Sequence, residues 1–447
     1  MFLAVTLSSL FTVAAPQEPA KPFLPASAHK SLGDKLRKYL AAENAYDFAE
    51  KAREREKAGK ARRKAKESFE KEWAKAEKKG EVLGSMPDLR AIFHNCFVRE
   101  NPKHSKGQFA RRTYKTPRGD IEYGLMIPKK YRATTPYRTI VALPGGESGT
   151  WVSPTEYFKA TWDGSPALSD SILHMPVLPK GLELDPVPDY SREGAEQEED
   201  RRNFTVLGSL GFVMHNYNVD RARVFLDCGH EACGYGLRLA TLFPDRFAGV
   251  ILRDPVPVDE LRLGNLLGLP ILMLETDANR QVVRALEQRI GETCPGTVTV
   301  LAAKGAYPHK ESGDDILAWM SDKKRDMTPK HVVIEPNHDR FQRAYWVNIL
   351  VADSLLTTGP DEKPRIEVQA DRESNRITVD ARGVERFELL LNDDLIDLGK
   401  KFTVVINGKA VEEQRRRSFR EMKNRMVTRG DWDYLFPVRY VASVPKE

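Results

Sequence analysis

The chain has 447 residues, 41% hydrophobic and 30% charged, with a formal net charge of +6. This suits a globular protein with a sizeable core and excludes disordered, collagenous and disulfide-scaffold classes. Residues 30–80 carry 17 Lys and Arg against 10 Asp and Glu, so the positive surplus is local and suits a solvated helix face; no nucleic-acid partner is expected.

In chain order, residues 1–15 form an apolar stretch ending in Val13-Ala14-Ala15. It is too short to span a bilayer and resembles a cleaved signal peptide, which implies a secreted or periplasmic location. No other stretch is apolar for long enough to be a transmembrane segment. Residues 16–30 read as a Pro/Ala linker and 31–85 as a charged helical arm. Ser31 to Asp34 has the form of a capping box, and Leu32, Leu36 and Leu40 follow at helical spacing. Phe69 and Trp73 repeat that spacing, and Gly59 is the main interruption before Met86-Pro87 closes the arm.

A main domain is expected over 86–358. Ile121–Pro128 alternates like an edge strand, and Tyr137–Leu143 reads as a buried parallel strand running into the turn Pro144-Gly145-Gly146. The proline-rich stretch from Trp151 to Pro188, with a short strand at Ser171–Met175, and the acidic tract 193–200 after it read as an irregular insert over the pocket mouth or equally as a surface loop without function. Phe204–Tyr217 reads as a helix. Leu269–Leu274 and Thr297–Ala302 are further strands, and Ile316–Met320 is helical.

The most informative stretch is 220–250, DRARVFLDCGHEACGYGLRLATLFPDRFAGV. It reads as strand, small-residue turn, helix, strand. That pattern resembles the nucleophile elbow of the α/β-hydrolase superfamily, in particular secreted bacterial esterases, polyhydroxyalkanoate-depolymerase-like and prolyl-oligopeptidase-like hydrolases. The resemblance implies an α/β-hydrolase fold: a doubly wound, mostly parallel sheet, here with an N-terminal helical arm and a small C-terminal β-module. It also implies a serine at the bend, which this chain lacks. Matching the flanks puts His230 in the serine slot and Ala232 in the second glycine slot. Matching the Gly-His pair puts Glu231 and Cys233 there instead.

By the same resemblance, Gly145 and Gly146 occupy the oxyanion-loop position, with Ala232 as a further candidate donor, although a Gly-Gly pair is equally a tight turn. The acid slot falls on Asn279, with Asp277 two residues earlier. The histidine slot falls on Gly305, with His309 nearby. Ser148, between glycines, follows the wrong strand for a nucleophile. His230, Glu231, His309 and Asp277 are metal-ligand types, but they read as polar residues left in a pocket without turnover, and no metal or cofactor is implied. Cys228 and Cys233 flank the bend as small buried thiols or as a bridged pair; Cys96 and Cys294 complete the set.

Gly359-Pro360 and Pro364 mark a linker into a β-rich module over 359–447. Its strands are expected at Ile366–Ala370, Arg376–Ala381, Phe387–Leu391 and Phe402–Ile406, with turns at Glu373-Ser374-Asn375 and Asn407-Gly408. Lys323-Lys324-Arg325-Asp326 and Arg343-Ala344-Tyr345-Trp346 read as structural. Together these features point to a secreted hydrolase-fold protein related to carboxylesterases and peptidases, with a degenerate triad (a pseudoenzyme) retained for binding or structure. A small ester or peptide-like ligand is the expected small-molecule partner. Two alternatives stand beside it: an active hydrolase built on Glu231 or His230 with His309, and a cell-envelope adaptor using the arm and the β-module.

Overall fold

Alanine and long charged residues dominate the N-terminal stretch, and they wind into α1 (Ala26–Asp47) and α2 (Ala52–Glu77). The computed structural model describes residues 21–97, 99, 101–102, 105–117, 119–145, 153–178, 188–258, 261–336, 338–355 and 362–445. The expected signal peptide and the first part of the 16–30 linker lie outside these residues, as do Gly146 and Ser148. The chain divides into two units, Met1–Asn95 and Cys96–Glu447.

In the first unit α1 and α2 run antiparallel. Lys35 meets Glu72 at 2.8 Å, and Tyr39 stacks on Phe69 with centroids 6.2 Å apart. The helices break at residues 48–51, and Gly59 lies inside α2. Ser31 is not a cap. The helix starts after Pro25, and Ser31 Oγ donates to Glu72 Oε1 at 3.2 Å. The reason is tertiary: the buried Asp88 carboxylate accepts the N–H groups of Phe23 and Leu24 and meets His29 Nε2 at 2.6 Å. This holds the chain in place ahead of the first turn. Asp88 lies on α3 (Met86–His94), which Ser85 caps and which belongs to this unit.

The second unit begins with β1 (Ala110–Tyr114), β2 (Ile121–Met126) and β3 (Tyr137–Leu143). There follow α4 (Pro154–Thr161), β4 (Ser171–Pro176), α5 (Ala195–Asn216), β5 (Val219–Gly229) and α6 (Ala232–Leu242). β6 (Gly249–Arg253), β7 (Ile271–Glu275), α7 (Arg280–Thr293), β8 (Val298–Ala302) and α8 (Gly313–Ser321) complete the layer. The sheet order is β1-β2-β4-β3-β5-β6-β7-β8. From β4 to β8 every pairing is parallel, and β2 pairs antiparallel with both neighbours. This is the doubly wound α/β-hydrolase fold. Helices cover both faces, so β3 is buried at all seven positions. Val141 and Leu143 join one apolar layer with α5 and α6, and Ile140 and Ala142 join the other with α4 and α8. Val141, Leu143 and Ile140 each stabilise the fold by roughly 1.5–3 kcal/mol relative to exposure.

Three expectations are corrected here. Ile121–Met126 is not the edge strand, because β1 pairs outside it. Within the stretch from Trp151 to Pro188, the described residues 153–178 are not irregular: they hold α4 and, at the expected strand Ser171–Met175, the fully buried β4, which lies between β2 and β3. The acidic tract opens α5, where Glu196 and Glu198 sit in the first turn and favour the positive end of the helix dipole.

β4 also carries a buried histidine. His174 Nε2 lies 2.9 Å from Ser209 Oγ, whose own proton goes to the carbonyls of Thr205 and Val206, so Nε2 is the donor. Burial pushes His174 down to about 3, and the ring is neutral in the fold. The unfolded chain binds a proton below about pH 6.5, so stability falls as pH drops from there towards 3, by up to about 1.4 kcal/mol per unit. Urea midpoints across this window should therefore fall less steeply in His174→Gln than in the parent chain.

The remaining strands form two further sheets. β9 (His331–Ile334), β10 (Arg343–Ala344), β11 (Val347–Ala352), β12 (Arg365–Asp371), β13 (Arg376–Arg382) and β14 (Val384–Leu391) come first. β15 (Phe402–Ile406), β16 (Lys409–Glu413), α9 (Phe419–Arg429) and β17 (Val438–Ser443) follow. The orders are β10-β11-β14-β17 and β16-β15-β13-β12-β9. One apolar core joins them, around Trp346, Phe387, Leu389 and Phe402. β9, β10 and β11 precede the stretch read as a linker, yet hydrogen-bond into these two sheets. Asn407 and Gly408, both at positive φ, make the tight hairpin between β15 and β16.

Candidate functional site

β5 runs straight into the bend. Gly229 is its last residue, His230 turns at φ 44, and Glu231 already has helical angles at the start of α6. A left-handed conformation costs a β-carbon residue on the order of 1–2 kcal/mol, so the surroundings must hold it. They do: His230 N donates to Arg253 O at 2.8 Å, and Cys233 N donates to His230 O at 2.9 Å. The strained residue is therefore His230, whereas Glu231 has ordinary helical angles. His230 Nδ1 lies 2.9 Å from Glu231 Oε2, with both side chains about one-fifth exposed.

The floor of the bend is closed by backbone packing. A β-carbon on Gly145 would stand 2.0 Å from Gly229 O and 3.1 Å from Ala232 N, so only glycine fits where the β3 loop meets the elbow. A β-carbon on Gly229 would meet the hydroxyls of Tyr307 and Tyr157. Tyr307 donates to Gly145 O, which ties the loop after β8 to the loop after β3. Burial raises both phenols, so they stay protonated.

The remaining expected residues do not converge. His309 is buried, at φ 61, and its Nδ1 donates to Gly305 O at 3.0 Å. A carbonyl thus takes the orienting place that the resemblance gives to an acid. His309 Nε2 is buried without a partner among the described residues. The Tyr307 ring lies 6.1 Å from that of His230 and 6.0 Å from that of His309. Asn279 is committed to its own loop: Oδ1 accepts from Thr276 N, and Nδ2 donates to Asp254 Oδ1 and Leu274 O. Asp277 is 92% exposed and pairs with Arg280. Neither orients an imidazole. Among the described residues no three metal-ligand side chains cluster. All four cysteines are buried free thiols, with Cys233 Sγ donating to Cys228 O at 3.2 Å.

Beneath the bend lies a pair that the sequence reading passed over. Arg253 Nε donates to Asp227 Oδ1 at 2.7 Å, and both side chains are fully buried. Trp162 Nε1 reaches the other carboxylate oxygen at 3.2 Å, and Arg253 also donates to Pro308 O at 2.9 Å. Burial opposes the Arg253 charge, but Asp227 beside it outweighs this and holds the guanidinium charged. One buried cation thus fastens β5, β6 and the His309 loop. The signal was available, since VFLDCG and VILRD each set a charge inside an otherwise apolar buried strand.

A parallel sheet in this order, with a strained bend between β5 and α6, is an architecture of α/β-hydrolase type. No protein-family model and no curated protein matches the chain. Solved structures do. A thermostable esterase is 20% identical over 48% of this chain and 63% of its own, with a TM-score of 0.37. An S-formylglutathione hydrolase from Staphylococcus aureus is 14% identical over 49% of this chain and 99% of its own, with a TM-score of 0.37. The S-formylglutathione hydrolase from Agrobacterium tumefaciens is 12% identical over 51% and 99%, with a TM-score of 0.39.

Proposed function

We propose that this chain is a hydrolase-fold protein in which the ester- or peptide-cleaving site is degenerate, and that the fold is retained for binding or structure. One observation carries the reading: the residue at the strained bend is His230, which offers neither hydroxyl nor thiol for covalent attack. The other partners of these groups, Asp254 for Asn279, Arg280 for Asp277 and the Gly305 carbonyl for His309, support it further. Incubation with a fluorophosphonate probe and with p-nitrophenyl acetate should give no active-site labelling and no turnover above that of free imidazole. Stoichiometric labelling would overturn the reading.

A second reading rests on the 2.9 Å contact between His230 and Glu231, a carboxylate–imidazole pair open to solvent. Such a pair can act as a general base for water without a covalent intermediate. It requires turnover that Glu231→Ala abolishes, and it leaves the fluorophosphonate probe unreacted.

A further inference from the structure

At the far end of α6 from the bend, about 16 Å away for an 11-residue helix, the chain makes the Pro244–Arg246 turn. That turn forms one wall of a cleft of about 380 Å³, lined by Arg246, Arg343, Glu421, Arg425, Arg429 and Tyr434, with Asn424 and Thr428 between them. Four arginines and a single carboxylate residue therefore line one space. Two of the arginines are committed elsewhere. Arg425 meets Glu388 at 2.9 Å, and Arg429 pairs with the buried Asp245. Glu421 lies 3.9 Å from Arg425.

The other two are not. Arg246 comes from the turn and Arg343 from β10, and neither guanidinium has a hydrogen bond or ion pair among the described residues; Arg246 Nε is buried besides. Burial and the adjacent Arg429 push Arg246 down to about 10 although Asp245 and Asp431 nearby favour its charge, and an anion in the cleft would favour it further. The committed arginines are fixed by Glu388 and Asp245, which leaves a preorganised wall. Planar guanidinium forks match tetrahedral oxyanions, and Asn424 and Thr428 offer neutral hydrogen-bonding groups beside them.

We propose that this cleft binds a compact oxyanion, a phosphate or sulfate group either free or carried on a small alcohol, with Arg246 and Arg343 as its charge-assisted donors. The site is separate from the bend and does not depend on whether the bend is catalytic.

Calorimetric titration of the full chain with inorganic phosphate, sulfate and methyl phosphate, at ionic strength held constant with sodium chloride, tests it. Saturable one-site binding by at least one of these is expected. It should weaken about tenfold in Arg343→Gln and further when Arg246→Gln is added. Arg376→Gln, an exposed arginine of the same module outside the cleft, should bind as the parent does. Methyl phosphate binding as tightly as phosphate assigns the site to esters, and binding by the inorganic ions alone assigns it to the free ion. Should Arg246→Gln fail to fold, the exposed Arg343→Gln carries the test alone. The absence of saturable binding over the chloride background, or equal affinity in Arg343→Gln, overturns the proposal.

Discussion

Asp431→Ala is expected to destabilise the second unit by about 3–5 kcal/mol, because it leaves buried positive charge without its counter-ion. Asp431 Oδ2 accepts from Arg325 at 2.7 Å with both side chains almost fully buried. Arg325 in turn donates to Asp245 O at 3.0 Å, on the turn that follows α6. Arg221 stacks over Trp432 at 3.6 Å, and Asp431 feels Arg221 and Arg246 as well. This cluster joins the α/β layer to the C-terminal sheets. Burial would raise the Asp431 carboxyl, but Arg325 and its neighbours outweigh that and hold it far below the ordinary range. The sign follows: the stabilisation is present above the unfolded value near pH 4 and fades as pH falls through the folded one. Guanidinium unfolding of Asp431→Ala at pH 7 measures the loss, and a midpoint equal to the parent's would refute the role.

The second large effect is expected beneath the bend. Arg253→Ala removes the partner of the fully buried Asp227 and frees Pro308 O at the same time. A loss of about 3–5 kcal/mol is again expected. Unlike Asp431→Ala, this change should also loosen the His309 loop, because Arg253 joins that loop to β5 and β6 through one guanidinium. Amide exchange at residues 305–312 should accelerate in Arg253→Ala at sub-denaturing temperature. Unchanged protection there would show that Tyr307, through Gly145, suffices to hold the loop. Asp227→Asn with Arg253→Met separates lost charge from lost packing, and it should recover part of the stability that the single change removes.

Much of the fold could be read from local pattern. The buried parallel strand Tyr137–Leu143, the strand–bend–helix at 220–242 and the Asn407-Gly408 hairpin all follow from short-range rules. These rules act on neighbours: apolar runs need burial on both faces, and a type I′ turn needs two positive φ angles. Where the sequence is ambiguous, the placement of an element is not legible. SILHMP reads as a short strand, but it lies among prolines and carries a histidine, and only pairing with β2 and β3 on its two edges makes it a central strand. α9 and β17 were missed, since α9 is mostly polar or charged and is held by Met422 and Met426 packing inward.

By itself the sequence determined the class of architecture, the presence of His230 and Glu231 where the resemblance expects a serine, and a charged N-terminal helical arm, because each depends on residue type and spacing. Only the tertiary structure decided that His230 rather than Glu231 takes the strained position. It also showed that Asn279 serves its own loop, that Arg253 and Asp227 lock the floor of the bend, and that four arginines from distant segments face one cleft. The physical reason is the same in each case. Partners far apart in the chain meet only after folding, and the free energy of a buried charge depends on which partner it meets.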